Sequence, residues 1–187
     1  MTFLQFFTLR RSLVAGLVLA FAFAAAAGLG LTQRAHATDG RQIVAALGAT
    51  RPFNDLTLAQ NAGYKAIVTD VNGKTCIAQA GAGGMGVHYL NPALLDGTVE
   101  PTTPEALVYA PVAGGNLRLV ALEYIVFQSV WDASHSSRPH LFGRQFNLTP
   151  FPNRFGIPAF YSLHLWIWDS NPSGMFEPWN PQVVCPS

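Results

Sequence analysis

The sequence predicts an α+β fold: two short N-terminal helices, then a mostly antiparallel β-sheet with one long irregular loop and one disulfide. Three observations predict it. Apolar residues recur at helical spacing only between Thr38 and Ala62. After Gly63 the chain turns to short β-branched and aromatic runs separated by Gly, Asn and Pro. Two cysteines, Cys76 and Cys185, form an even pair.

A segment of different character precedes this domain. Arg10 and Arg11 stand before an uncharged apolar run, Leu13 to Leu31, and Ala35-His36-Ala37 supplies the small-x-small pattern read by signal peptidase. Residues 1–37 are therefore expected to be a signal peptide cleaved before Thr38, leaving 38–187 as a single α+β domain. An uncleaved anchor is the rival reading, because the run is long for a signal. Ala and Gly fill Ala24–Gly30, however, and weaken it as a spanning helix of roughly 20 residues. Arg10-Arg11-Ser12-Leu13 also resembles a twin-arginine signal, although Leu9 and the missing lysine depart from that motif, and the ordinary Sec route is the alternative. Either address is periplasmic or extracellular, with no membrane contact after cleavage.

Export changes how charge and cysteines are read. Arg10, Arg11 and Arg34 leave with the signal, so eight basic residues face ten acidic ones, a net charge of −2. That excludes the clustered basic face of a nucleic-acid binder. In an oxidising compartment Cys76 and Cys185 are expected to be disulfide-bonded. Closing so long a loop stabilises by at most about 4–5 kcal/mol in the chain-entropy model. Free thiols or a cysteine metal pair are disfavoured, since neither residue sits in a CxxC or beside a histidine.

Thr38 or Asp39 can cap a first helix running to about Leu47, with Ile43, Val44 and Leu47 on one face and Gly48 as its stop. Asn54 or Asp55 can cap a second, Leu56 to Ala62, stopped by Gly63. Tyr64–Val71 and Lys74–Ala80 read as strands joined through Asn72-Gly73 in a hairpin. The cluster Gly81-Ala82-Gly83-Gly84 leads into a strand over Met85–Asn91. A loop to Pro104 follows, with one turn at Ala93–Leu95. Ala106–Ala110 is the next strand, Gly114-Gly115-Asn116 a hairpin turn, and Leu117–Val130 the strongest strand in the chain. Trp131–Ile157 reads as the irregular loop, a length that is often functional. Ala159–Asp169 is a second strong strand, and the Pro-rich tail after Asn171 is expected to wrap the surface.

Strand side chains alternate between two faces. Leu117, Leu119, Ala121, Glu123, Ile125 and Phe127 would share one, with Glu123 the only charge among apolar neighbours. A buried carboxylate is costly unless it is paired, hydrogen-bonded or bound to a metal. His88 shares a face with Gly86 and Leu90, and His164 with Ser162, Trp166 and Trp168. Three strands thus each present one ionisable group: His88, Glu123 and His164. Two imidazoles and one carboxylate suit a divalent transition metal such as Zn, Cu, Fe or Mn, with open positions for a small ligand. Tyr89, Tyr124 and Tyr161 fall on the opposite face. The competing reading is a structural polar network in a non-catalytic envelope or interaction module, with Glu123 paired to His88, His164 or an arginine such as Arg118 or Arg144. No HxH or HExxH pair is present, so the metal reading rests on strand adjacency.

Other patterns are weaker. Gly81 to Gly86 fits GxGxxG but leads into a strand with no helix after it, so no nucleotide cofactor is expected. His135 and His140 lie in the long loop without a GxSxG elbow. Asn147-Leu148-Thr149 is a sequon followed by Pro150. Trp166, Trp168 and Trp179 are candidates for a pocket lining or for core packing.

From Gly84 onward the chain resembles a family of short exported bacterial proteins of unassigned activity. The resemblance is carried by Gly84-Met85-Gly86-Val87-His88-Tyr89, Leu107-Val108-Tyr109, Leu117 to Tyr124, Leu141-Phe142-Gly143, Leu163-His164-Leu165-Trp166, and Asn171 to Phe176 through Asn180-Pro181 to Cys185. It implies an exported context and covers most of the mature part. It implies no reaction.

Overall fold

Two cysteines 109 residues apart meet in one bond, Cys76 to Cys185, and so tie the tail to the edge of an antiparallel sheet. A computed structural model describes residues 39–186. The expected signal peptide and its cleavage point lie outside the described residues. Contacts divide the chain into Met1–Asp39 and Gly40–Ser187, and the sheet belongs to the second unit.

The fold is α+β, as the sequence predicts. Helix α1 covers 39–50, a 3-10 turn follows over Arg51–Asn54, and α2 spans Leu56–Asn61. The Asp55 side chain caps α2 by accepting from the Thr57 and Leu58 amides. Gly48 does not end α1. A glycine inside a helix costs only about 1 kcal/mol, and Thr50 extends the helix with a 2.7 Å bond to the Ala46 carbonyl. Pro52, which has no amide hydrogen to donate, stands where the chain leaves the α-helical pattern.

The main sheet runs β1-β3-β4-β5-β9-β8, with β2 also on β3. Its strands are β1 Ala66–Ile67, β2 Cys76–Gln79, β3 Gly83–Leu90, β4 Ala106–Pro111, β5 Leu117–Phe127, β8 Asn147–Thr149 and β9 Phe160–Leu165. The expected hairpin between Tyr64–Val71 and Lys74–Ala80 does not form. The two segments instead lie end to end on the same edge of β3, Ala66 opposite Leu90 and Cys76 opposite Val87. The Asp70 carboxylate takes the Asn72 and Lys74 amides and folds the intervening residues into a tight excursion.

Strand β5 stops at Phe127, three residues short of expectation, because β9 offers its last partner there, Phe160. The chain turns into the short helix α3, Gln128–Asp132. The region Trp131–Ile157 is not one irregular loop. It holds the small hairpin of β6 (His140–Leu141) and β7 (Arg144–Gln145), and then β8, which adds an edge strand to β9. Leu141, Phe142 and Phe146 from this region are buried in the main core. Each contributes about 1.5–3 kcal/mol by leaving water.

That core lies on one face of the sheet. Tyr89, Leu107, Tyr109, Leu122, Tyr124 and Leu163 meet Ala46 of α1 and Ala59 of α2 there. Pairing slips between Val108 and Tyr109, so that Val120 is an extra residue in β5. This bulge overturns part of the expected alternation. Leu117 and Leu119 join the helix-covered core, whereas Ala121, Glu123, Ile125 and Phe127 keep the other face. At one end of that other face Val108, Ala110, Val120, Ala121 and Trp166 pack with Val183 of the tail.

The tail reaches the sheet through the glycine cluster. Gly84 and Asn180 exchange two backbone bonds of 3.0 Å. A Cβ on Gly84 would stand 2.8 Å from Val183 Cγ1. Gly86 has φ of +114°, and a Cβ there would meet the Tyr109 carbonyl at 2.6 Å. These glycines let two backbones approach and turn β3 toward His88. Reducing the disulfide, or the double substitution Cys76→Ser/Cys185→Ser, should lower unfolding free energy by up to about 4–5 kcal/mol. Urea denaturation measures it, and an unchanged midpoint would contradict the role given to the bond.

Candidate metal centre

Pairing register builds the site. Glu123 of β5 lies directly opposite His164 of β9. On its other side Glu123 faces Ala106 of β4, which in turn faces Leu90 of β3, two residues beyond His88. His88 and Glu123 are therefore separated by a whole strand, about 10 Å at the usual spacing. Their side chains meet across β4, which on this face presents Val108 opposite His88 and Ala106 opposite Glu123; the methyl group of the fully buried Ala106 leaves room there.

The three groups converge. His88 Nε2 stands 3.3 Å from Glu123 Oε2 and 3.4 Å from His164 Nε2. His164 Nδ1 is 3.5 Å from Glu123 Oε1. One donor atom from each residue lies within 4.8 Å of the other two. The imidazole planes cross at 90° with centroids 5.7 Å apart. All three residues are buried, and no other group of three or more His, Cys, Asp and Glu residues among those described has this proximity.

Burial sets the protonation of the cluster. Desolvation pulls both imidazoles down to about 4, so both are neutral at pH 7. For His88 the Glu123 charge acts in the opposite sense and is outweighed. Desolvation raises Glu123, against the pull of His88 and a hydrogen bond from Ser162. Neutral imidazole nitrogens are the form that binds metals. The contacts of 3.3–3.5 Å exceed the 2.7–3.2 Å of ordinary N–H···O bonds. The buried His88 Nδ1 has no hydrogen-bond partner of good geometry. The Gly86 backbone acts on this imidazole in the raising sense, less than burial acts in the lowering one.

Two recesses open beside the cluster. One is lined by His88, Glu123 and eight apolar residues. The other is more polar and is lined by Glu123, Ser162, His164, Arg154 and Trp179. Phe155 and Phe160 line both. Arg154 bonds Asp70 at 3.3 Å and the Ala78 carbonyl at 3.1 Å, and its guanidinium lies over the Trp179 ring.

Several sequence candidates lie elsewhere. His135 stacks on Trp131 at the surface, and His140 is exposed in β6. Trp166 is buried and donates to the Glu177 carbonyl, while Trp168 leaves the sheet face and donates to Thr50. Of the three tryptophans considered for a pocket, Trp179 lines a recess at the cluster. Arg118 pairs with Asp169, not with Glu123. Tyr89, Tyr124 and Tyr161 lie on the opposite, helix-covered face.

Sequence reasoning passed over Arg154, whose irregular segment has no periodicity to read, and Glu105. Glu105 directly precedes β4 and is 2% exposed. Its Oε2 accepts the Ile125 amide at 2.8 Å. It fills in for β4, which begins one residue later and leaves that amide beyond its end. The chain matches no protein-family model, no curated protein and no solved structure.

Desolvation pushes the Glu105 carboxyl from 4.5 up to about 8. The folded state thus holds its proton more tightly than the unfolded chain. The resulting stabilisation is complete below pH 4.5 and is lost as pH rises through about 8. Glu105→Gln, which keeps an acceptor for Ile125, should therefore gain on the native chain by about 5 kcal/mol at pH 9 and by nothing at pH 4. Denaturation curves across that range check it; a pH-independent difference would contradict the buried-acid reading.

Proposed function

We propose that the mature chain is an exported domain that binds one divalent transition metal through His88, Glu123 and His164. The observation that carries this reading is the spacing of the donors. Ligands held tetrahedrally at about 2.0–2.1 Å from a zinc ion lie about 3.4 Å apart. Here His88 Nε2 has Glu123 Oε2 at 3.3 Å and His164 Nε2 at 3.4 Å, and one donor atom from each residue lies within 4.8 Å of the other two, close enough for small side-chain rotations to gather them on one ion. The protonation pattern supports the same reading, because buried neutral imidazoles need no deprotonation before coordination. Ser162, hydrogen-bonded to Glu123, supplies an outer contact that orients a ligand.

Three protein ligands leave a coordination position for water or a small molecule. A metal held this way supplies a polarising centre and lowers the pKa of a bound water toward 7. The disulfide supports the export half of the proposal, since such bonds persist in oxidising compartments. Among the described residues no helix is long and apolar enough to cross a membrane.

Metal analysis of protein purified from the periplasm, followed by zinc titration of the stripped chain, tests the site. One equivalent should bind, and His164→Ala and Glu123→Gln should each weaken it at least a hundredfold while retaining the native circular dichroism. Negligible metal in the native chain and both variants would leave His88, Glu123 and His164 as a structural polar network.

A further inference from the structure

Ligand chemistry at this centre is constrained by the recess beside it. On the tail-covered end of the sheet face, Ala121, Val108 and Trp166 are sealed. At the site end the apolar side chains, Phe160 apart, are only half-buried. Val68, Leu90, Leu95, Ile125, Phe127 and Ile157 form a collar, with Phe155 and Phe160 completing it. They come from five separate parts of the chain: the edge beside β1, the end of β3, the β3–β4 connection, the end of β5, and the start of β9 with the segment before it. The ionisable groups in this lining are His88 and Glu123, two members of the donor set. A metal-bound ligand therefore has an apolar space directly at its side.

We propose that the centre takes a small molecule with an oxygen-donor head, bound to the metal, and a short aliphatic body lying in this collar. The proposal rests on the metal reading above. The space is about 70 Å³, whereas a cavity of roughly 150 Å³ is what admits benzene. A body of a few carbons fills this space. The lining offers no cationic side chain, so the ligand's polar atoms belong at the metal and its hydrocarbon part away from it. Half-exposed apolar residues gathered at one polar focus gain most when such a body covers them, because its burial removes both surfaces from water.

The test uses the zinc-loaded full mature chain and straight-chain hydroxamic acids from acetohydroxamic to octanohydroxamic acid, with Kd measured by calorimetry. Affinity should rise about fourfold per added methylene, the value of one buried CH2, over the first few carbons. It should then stop rising or fall as the chain outgrows the collar. Leu95→Trp and Ile157→Trp add bulk to the collar from outside the strands. Each should abolish the chain-length gain while leaving acetohydroxamic acid and zinc affinity unchanged, which also shows that the site is folded. If zinc and acetohydroxamic acid bind but affinity is flat along the series, or rises undiminished to eight carbons, the collar is not the ligand's site and the metal reading stands. If zinc binds but acetohydroxamic acid does not, the open coordination position is refuted. If zinc itself does not bind, both readings fall together.

Discussion

Register in four adjacent strands is the constraint on which everything else depends. His88, Glu123 and His164 meet because β3, β4, β5 and β9 are all antiparallel and paired so that the three side chains leave the same face. A slip of one residue in β5 would send Glu123 into the helix-covered core and Tyr124 out of it. That would bury a carboxylate among Tyr89, Leu107 and Leu163 without a partner. The cost of such a move, several kcal/mol for an unpaired buried charge, is itself a force that holds the register. Ala106 adds a steric condition, since a larger side chain at this buried position would stand between β3 and β5.

The bulge at Val120 divides the labour along β5. Below it, Leu117 and Leu119 serve the core with the helices; above it, Ala121, Glu123, Ile125 and Phe127 face the other way. The freed Val120 carbonyl accepts from the amides of Trp168 and Asp169, which ends β9 and starts the tail. The tail then covers the sealed end of the face, is held by Gly84 and Asn180, and is locked by the disulfide. It stops short of the collar. One end of the face is thus closed by the tail, and the other stays half-exposed.

Much of this was legible in the sequence. Alternation alone placed His88, Glu123 and His164 on strands and predicted that the flanking tyrosines point away. The even cysteine count predicted the bond that forms. The Asp55 cap and the stop at Gly63 were readable from local chemistry. What misled were features set by partners that alternation does not reveal. The hairpin around Asn72-Gly73 looked complete, yet both arms pair with β3, which offers a longer edge. Val120 carries no residue signal for a bulge, so the face of Leu117 and Leu119 was misread. Glu105 was passed over because its role, satisfying the Ile125 amide beyond the end of β4, exists only once the strands are aligned. Trp131–Ile157 read as irregular because its strands are two or three residues long, too short for a period to register.

The central claim is that an ion is held between three side chains from separate strands. Crystals of the mature chain grown with zinc, with diffraction collected on both sides of the zinc absorption edge, test it most directly. The account predicts a single strong anomalous peak within about 2.0–2.2 Å of one nitrogen each from His88 and His164 and a Glu123 oxygen. A map with no peak there, or with zinc only at exposed histidines such as His135 and His140, would contradict it.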